Sequence, residues 1–233
     1  MSALVARLLT FRQELAVELQ RFVLLWRYHH GITPFRLWWR LVLKRVVDTA
    51  ASAVGLVLMA PVMALIALII KLDSKGPAIY QQERSGRFGE PFMIYKFRSM
   101  HIDAESAGPQ WASGKADPRL TRVGRILRRT HLDELPNLFN VVIGDMSLVG
   151  PRPERPCFVD TLNREVDRYD ERLLIKPGMT GLAQVHYRYD TTVADVRRKL
   201  RFDLLYVKRM CIALDARIMW WTLSVVMTGR GIR

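Results

Sequence analysis

Cysteine is nearly absent: the chain has only Cys157 and Cys211. Two residues cannot form the disulfide framework of a small secreted domain, so a reducing compartment is expected. Acidic residues are scarce as well, 22 against 36 Lys and Arg, a formal charge of +14 over 233 residues. The five histidines (His29, His30, His101, His131, His186) show no zinc-ligand spacing. There is no Walker loop or dinucleotide fingerprint, no Gly-x-Ser-x-Gly, no internal repeat and no low-complexity tract. With 50% apolar residues, intrinsic disorder is excluded. The positive charge leaves three partner classes: nucleic acid, an anionic membrane surface or a phosphorylated substrate.

Charge itself is missing from one stretch. Thr49 to Ile70 is 22 residues without a charged side chain, about 33 Å as a helix against roughly 30 Å of hydrocarbon. The run lies too far into the chain and is too long for the apolar core of a secretory signal. A buried helix of a soluble core is the alternative, though such helices seldom run this long uncharged. Pro61, near the middle, removes a backbone hydrogen bond and predicts a kink. The helix then either spans or dips in and returns. Lys44 and Arg45 before it, with Lys71 and Lys75 after it, favour return to one face under the positive-inside rule.

Residues 1–45 carry eight basic and two acidic side chains interleaved with aromatics, among them Trp26, Phe35, Trp38 and Trp39. This suits a basic extension lying in a membrane interface or packing on a partner, broken at Gly31 and Pro34. Residues 46–72 form the membrane helix, and 73–233 read as a turn-rich cytoplasmic domain. Strand-like runs occur at 78–82 and 92–97, and helical spacing links Leu132, Leu135, Leu138, Phe139 and Val142. The segment 193–228 reads as two helices, the first basic on one face, the second apolar with Trp220 and Trp221. The fold class expected is α/β, mainly helical with a few short strands, built from a re-entrant membrane hairpin, a compact catalytic domain and interfacial amphipathic helices.

The densest polar constellation is RRTHLDELPNLFNVVIGDMSLVGPRP. Pro136 suits a first helical turn, which predicts Asp133 at or near an N-cap, where carboxylates and phosphates are both well held. Arg128, Arg129 and Arg152 could hold phosphate oxygens. A divalent ion between the Asp133–Glu134 pair and those phosphates would complete a phosphoryl-transfer site, and an aspartate can itself be the nucleophile. On the residues alone, the favoured reading makes Asp133 only a helix cap and Glu134 only a surface charge. The basic loop RSGRFGEPFMIYKFRSM, with Arg84, Lys96 and Arg98, is either a phosphate-binding loop around Gly86 and Gly89 or an ordinary hairpin.

Over roughly 44–230 the chain resembles the bacterial sugar transferases, the monotopic polyprenyl-phosphate phosphoglycosyl transferases. The resemblance rests on motifs in order: KRVVD before an apolar segment with a central proline, SKGPAIYQQERSGRFGEPFMIYKFRSM, DPRLTRVGRILRRTHLDELPNLFNVVIGDMSLVGPRPERP, IKPGMTGLAQV, and KLRFDLLYVKR with a trailing Leu-Asp. It implies transfer of a sugar phosphate from a UDP-sugar to undecaprenyl phosphate with release of UMP, priming surface-glycan synthesis. Asp133 would be the nucleophile and would carry the phosphosugar. Mg²⁺ would sit at Asp133 and Glu134. Arg128 and Arg152, with Lys96, Arg98 and Arg84, would face phosphates. Pro61 would be the hinge, here Ala-Pro where relatives often have Ser-Pro. After GLAQV the chain reads His186-Tyr187-Arg188-Tyr189-Asp190 instead of the frequent Gly-Arg, which leaves the sugar open.

The resemblance places the protein at the cytoplasmic face of the bacterial inner membrane with membrane lipid as a partner. It ranks nucleic acid last and allows a homodimer. A non-enzymatic adaptor that binds anionic lipid is the competing class.

Overall fold

The computed structural model describes residues 3–29, 31–106, 108, 117–187 and 192–228, with side chains described from residue 14 onward. Two compact units divide between Leu43 and Lys44. The first contains α1 (Ala3–Tyr28) and the beginning of α2 (Pro34–Asp73). Gly31 adopts φ +84° after α1, a conformation open to glycine, and Pro34 opens the next helix, where its missing N–H costs nothing. The Trp26 indole donates to the Ile32 carbonyl at 2.7 Å across this corner. Phe35, Trp38 and Trp39 meet edge to face and stay exposed.

In the second unit α2 continues through Pro61 without interruption. Its apolar length is largely bare: only 11% of its most apolar window is buried. The charged foot is buried instead. Lys44 Nζ donates to Asp215 Oδ2 at 2.7 Å and lies 3.4 Å from Asp48 Oδ2. Ser147 Oγ donates to Asp48 at 2.6 Å. The Tyr206 hydroxyl sits 2.9 Å from the Val149 carbonyl and 2.6 Å from Asp215. Burial and the adjoining Asp215 carboxylate push that phenol well above its ordinary pKa. At the far end, Ile66 and Ile70 pack on Phe97 and Leu127. Arg98 donates to the Ser74 carbonyl at 2.7 Å and its hydroxyl at 2.9 Å, and Asp73 accepts the Val123 N–H at 3.3 Å. Both ends of the apolar segment are therefore tied to the same unit.

The expected strands form an antiparallel hairpin, β1 (Ile79–Ser85) and β2 (Pro91–Phe97), with Tyr80 opposite Lys96. Gly86 and Gly89 belong to its turn, closed by the Gly86 N–H on the Glu90 carbonyl at 2.7 Å; the loop is a hairpin connection. Alternation puts Tyr80, Gln82 and Arg84 on one face. A 3₁₀ turn (Leu132–Glu134) joins α3 (Arg122–Thr130) to α4 (Asn137–Ile143). Strand β3 (Ser147–Val149) runs parallel to β4 (Gly178–Thr180). A Cβ on Gly178 would lie 2.0 Å from the Gly150 amide nitrogen. These motif glycines are thus set by a close backbone contact where the two strands meet.

The remaining helices are α5 (Pro156–Glu165), α6 (Leu182–His186), α7 (Val193–Arg209) and α8 (Ile212–Thr228). The last two match the expected pair, and Thr192 opens α7 with a reciprocal cap to Asp195. Among the described residues three apolar clusters hold the unit together. One joins α2, β2 and α3; a second joins β2 to α4 through Ile94, Val141 and Met146; the third joins α5 to α7 through Val159, Leu162, Val196 and Leu200.

Lys44→Met should cost about 3–5 kcal/mol by leaving Asp48 and Asp215 buried against too little positive charge. Unfolding of detergent-solubilised protein measures this, and the Lys44→Met/Asp215→Leu pair should recover most of the loss.

Candidate active site

A cavity of about 890 Å³ opens between the three clusters. One side is the β1–β2 face with Tyr80, Gln82, Arg84 and Lys96; the 3₁₀ turn contributes Asp133 and Glu134; α3 brings Arg128. The volume falls in the range that encloses a drug-sized or nucleotide-sized ligand. Of the predicted site residues, Asp133, Glu134, Arg84, Lys96, Arg98, Arg128 and Arg152 line it; Arg129 and the hinge Pro61 do not.

Asp133 lies three residues ahead of the α4 N-cap position, which Pro136 occupies, and makes no capping hydrogen bond. The expectation of Asp133 as an N-cap is corrected. The chain closes a 3₁₀ turn first, with the Leu135 N–H on the Leu132 carbonyl, so the carboxylate is carried off the helix end. Asp133 is buried, yet has no hydrogen-bond or ion-pair partner among the described residues and lines the cavity. Burial and the neighbouring Glu134 charge push its pKa up, against the pull of Lys96, Arg128 and Arg152.

Glu134 has the opposite environment. Its Oε1 accepts from Lys96 Nζ at 2.6 Å and Arg152 Nη2 at 2.9 Å. Burial alone would raise its pKa, but these two cations outweigh it and hold the carboxyl well below the usual carboxylate range. Adjacent carboxylates whose environments drive them apart are a recurrent feature of catalytic sites. Glu134 is the fixed anion, and Asp133 is the group with a free face.

The arginines divide by what they already hold. Arg128 donates only to Ser99 Oγ at 3.1 Å among the described residues and faces the cavity. Arg84 donates to the Pro153 carbonyl at 3.1 Å and Gln82 at 2.6 Å, and its buried Nε has no partner. Arg98 borders the cavity, but both of its terminal nitrogens are committed to Ser74 and Lys75. It clamps the end of α2 to β2.

Sequence reading missed Arg172, Asp203 and Gln184. Arg172 donates to Asp203 at 2.9 Å, to the Tyr169 hydroxyl at 3.0 Å and to the Arg152 carbonyl at 2.8 Å. It supports the loop that aims Arg152. Asp203 falls within the KLRFDLLYVKR motif and Arg172 just ahead of IKPG, outside it, and nothing local marked them as a pair. Gln184 lines the cavity with a buried Oε1 that lacks a partner. His186 stacks on Phe202 and meets Trp221 edge-on, and Tyr187 packs on Phe202. Neither lines the cavity; Arg188, Tyr189 and Asp190 lie outside the described residues.

A metal site is open to the same scrutiny. Among the described residues no group of three or more His, Cys, Asp or Glu converges. Mg²⁺, however, is commonly held by one or two carboxylates together with substrate phosphates and water. The free carboxylate of Asp133 beside Glu134 fits that substrate-completed mode.

An acidic pair, Asp133 buried and Glu134 half-buried, ringed by arginines and a lysine, has the charge arrangement that suits phosphate-bearing ligands, and the same unit carries a bare apolar helix. The chain belongs to the bacterial sugar transferase family, whose model matches residues 39–229. It is 42% identical over 191 residues to the UDP-N-acetylgalactosamine-undecaprenyl-phosphate N-acetylgalactosaminephosphotransferase of Aeromonas hydrophila, covering 82% of this chain and 45% of that protein. It is 44% identical over 188 residues to the UDP-glucose:undecaprenyl-phosphate glucose-1-phosphate transferase of Caulobacter vibrioides, covering 79% and 70%. An exopolysaccharide production protein of Rhizobium leguminosarum is 42% identical over 201 residues, with 82% of this chain and 98% of that protein matched. The chain thus spans about half of the first relative and nearly all of the last.

Asp133→Asn should raise the melting temperature near neutral pH. A carboxyl whose pKa is higher folded than unfolded destabilises the fold once pH exceeds its unfolded value. The gain should shrink as pH falls toward about 4, and a variant less stable than wild type at pH 7 would contradict the raised pKa.

Proposed function

We propose that the protein transfers a sugar 1-phosphate from a UDP-sugar to a polyprenyl phosphate, releasing UMP and forming a polyprenyl diphosphate sugar. The observation that carries this reading is the free, buried Asp133 carboxylate beside a Glu134 fixed by Lys96 and Arg152. Relatives named for different sugars, N-acetylgalactosamine and glucose, share the acceptor undecaprenyl phosphate. That agreement supports the acceptor and leaves the sugar open.

In the proposed reaction an Asp133 oxygen forms a bond to the phosphorus that bears the sugar. The bond from that phosphorus to the bridging oxygen breaks, and UMP leaves with the bonding electrons. The acceptor's phosphate oxygen then attacks the same phosphorus and the Asp133 carboxylate is released. The raised pKa of Asp133 suits a group that must gain and lose a bond partner, while Glu134 stays ionised. Arg128 and Arg152 reach phosphate oxygens, and Arg84 and Lys96 supply further positive charge on the β1–β2 face. Asp133 and Glu134 would hold Mg²⁺, which when bound neutralises diphosphate charge.

The site requires access from a membrane, because the acceptor is a lipid. Lys44 and Arg45 at one end of the apolar segment, and Asp73 and Ser74 at the other, all bond to the one catalytic unit. This supports a re-entrant segment with both flanks at the cytoplasmic face of the inner membrane. The exposed aromatic corner of residues 26–39 and the exposed Trp220 of α8 suit the interface.

UMP release in the presence of undecaprenyl phosphate, Mg²⁺ and a panel of UDP-sugars tests the activity. Asp133→Asn should lower the rate about 10⁴-fold or more, and wild type incubated with labelled UDP-sugar alone should retain label. An active Asp133→Asn enzyme, or unlabelled wild type with normal turnover, would overturn the covalent step. Cysteines placed beside Lys44 and Lys75 should react only from the cytoplasmic side; periplasmic reaction at Lys75 would establish a span.

A further inference from the structure

Two cations converge outside the cavity. Arg45 Nη2 and Lys176 Nζ lie 3.2 and 3.5 Å from the place where a Cβ on Gly144 would stand. Neither residue lines the cavity. The Arg45 guanidinium donates to the Val141 and Val142 carbonyls at the C-terminus of α4, and it has no carboxylate partner among the described residues. Capping a helix end accounts for Arg45 but leaves Lys176 unexplained. Among the described residues Lys176 forms no hydrogen bond and no ion pair. Burial lowers its pKa, Arg45 and Arg87 lower it further, and Asp145 and Asp48 act the other way. Asp48 is already engaged by Ser147 and Lys44, and Arg87 donates to the Leu174 carbonyl at 3.2 Å.

The surroundings are apolar and exposed. Val46 and Val47 follow Arg45 directly, and α4 presents Phe139 and Ile143, at 47% and 49% exposure, four residues apart on one face. The uncharged run of α2 begins at Thr49. A pair of cations at the start of a membrane-inserted run, rimmed by exposed apolar side chains, stands at the depth of lipid phosphates.

We infer that Arg45 and Lys176 form a binding site for the phosphodiester of an anionic membrane phospholipid, separate from the catalytic cavity. The inference rests on the membrane association proposed above. Lys176 supplies the uncommitted charge, Arg45 the second, and the apolar rim receives the proximal acyl chains. Inorganic phosphate has the same charge without the chains, and so separates the two sources.

The test uses the full chain in phosphatidylcholine nanodiscs with and without phosphatidylglycerol, with retained lipid counted by native mass spectrometry. Wild type should retain phosphatidylglycerol over phosphatidylcholine. Lys176→Gln should weaken that preference about fivefold, the scale of one basic side chain at an anionic surface. It should still insert into neutral bilayers and release UMP there. Lys208→Gln, on the exposed part of α7, should change nothing. Excess inorganic phosphate should leave the retained lipid in place. Equal retention by Lys176→Gln, an equal loss by Lys208→Gln, or displacement by inorganic phosphate would overturn the site. Failure of wild type to insert into neutral bilayers would instead count against the membrane reading.

Discussion

A half-buried glutamate needs compensating charge, and the second unit is arranged around that need. Glu134 is reached by Lys96 from the hairpin and Arg152 from the loop after β3. An isolated carboxylate at that depth would cost several kcal/mol, so hairpin, 3₁₀ turn and loop must come together or the turn cannot be buried. Once Glu134 is held, Asp133 has one direction left, into the cavity. The clamp on one carboxylate is thereby what frees the other. Arg172 and Asp203 extend the same logic outward, since they hold the main chain of the loop that delivers Arg152.

Local features were legible in the sequence. Gly31 with Pro34 marks the end of α1 and the start of α2, the runs at 78–82 and 92–97 became the hairpin, and the two C-terminal helices fell where their pattern placed them. The acidic pair stood out because its residues are neighbours. What stayed hidden depends on contacts between distant positions. Arg98 looked like another phosphate ligand, and only the fold shows its guanidinium spent on the end of α2. Asp133 looked like a cap because Pro136 implied a helix start; the intervening 3₁₀ turn has no signature of its own. The close backbone approach of Gly178 to Gly150 likewise joins distant positions and has no local signature.

The net charge takes on a different meaning against this background. Arg45, Arg84, Arg98 and Arg172 all donate to main-chain carbonyls. A good share of the basic excess is therefore internal scaffolding that a composition count assigns to partners. The planar, always-charged guanidinium suits this use, because it can satisfy carbonyls at depth without losing its proton. Arg128, by contrast, faces the cavity with one hydrogen bond among the described residues, to Ser99.

The Lys44–Asp215 pair joins positions 171 residues apart. During synthesis the apolar segment of α2 leaves the ribosome long before α8 exists. At ordinary elongation speeds the partner arrives about 10–30 s later. For that interval Asp48, four residues along the same helix, is the nearest carboxylate that Lys44 can use, and the foot of the helix is not yet locked to the domain. The C-terminal helix therefore locks the foot of α2 last, and a chain truncated before Asp215 would leave Lys44 with Asp48 alone and that foot unanchored.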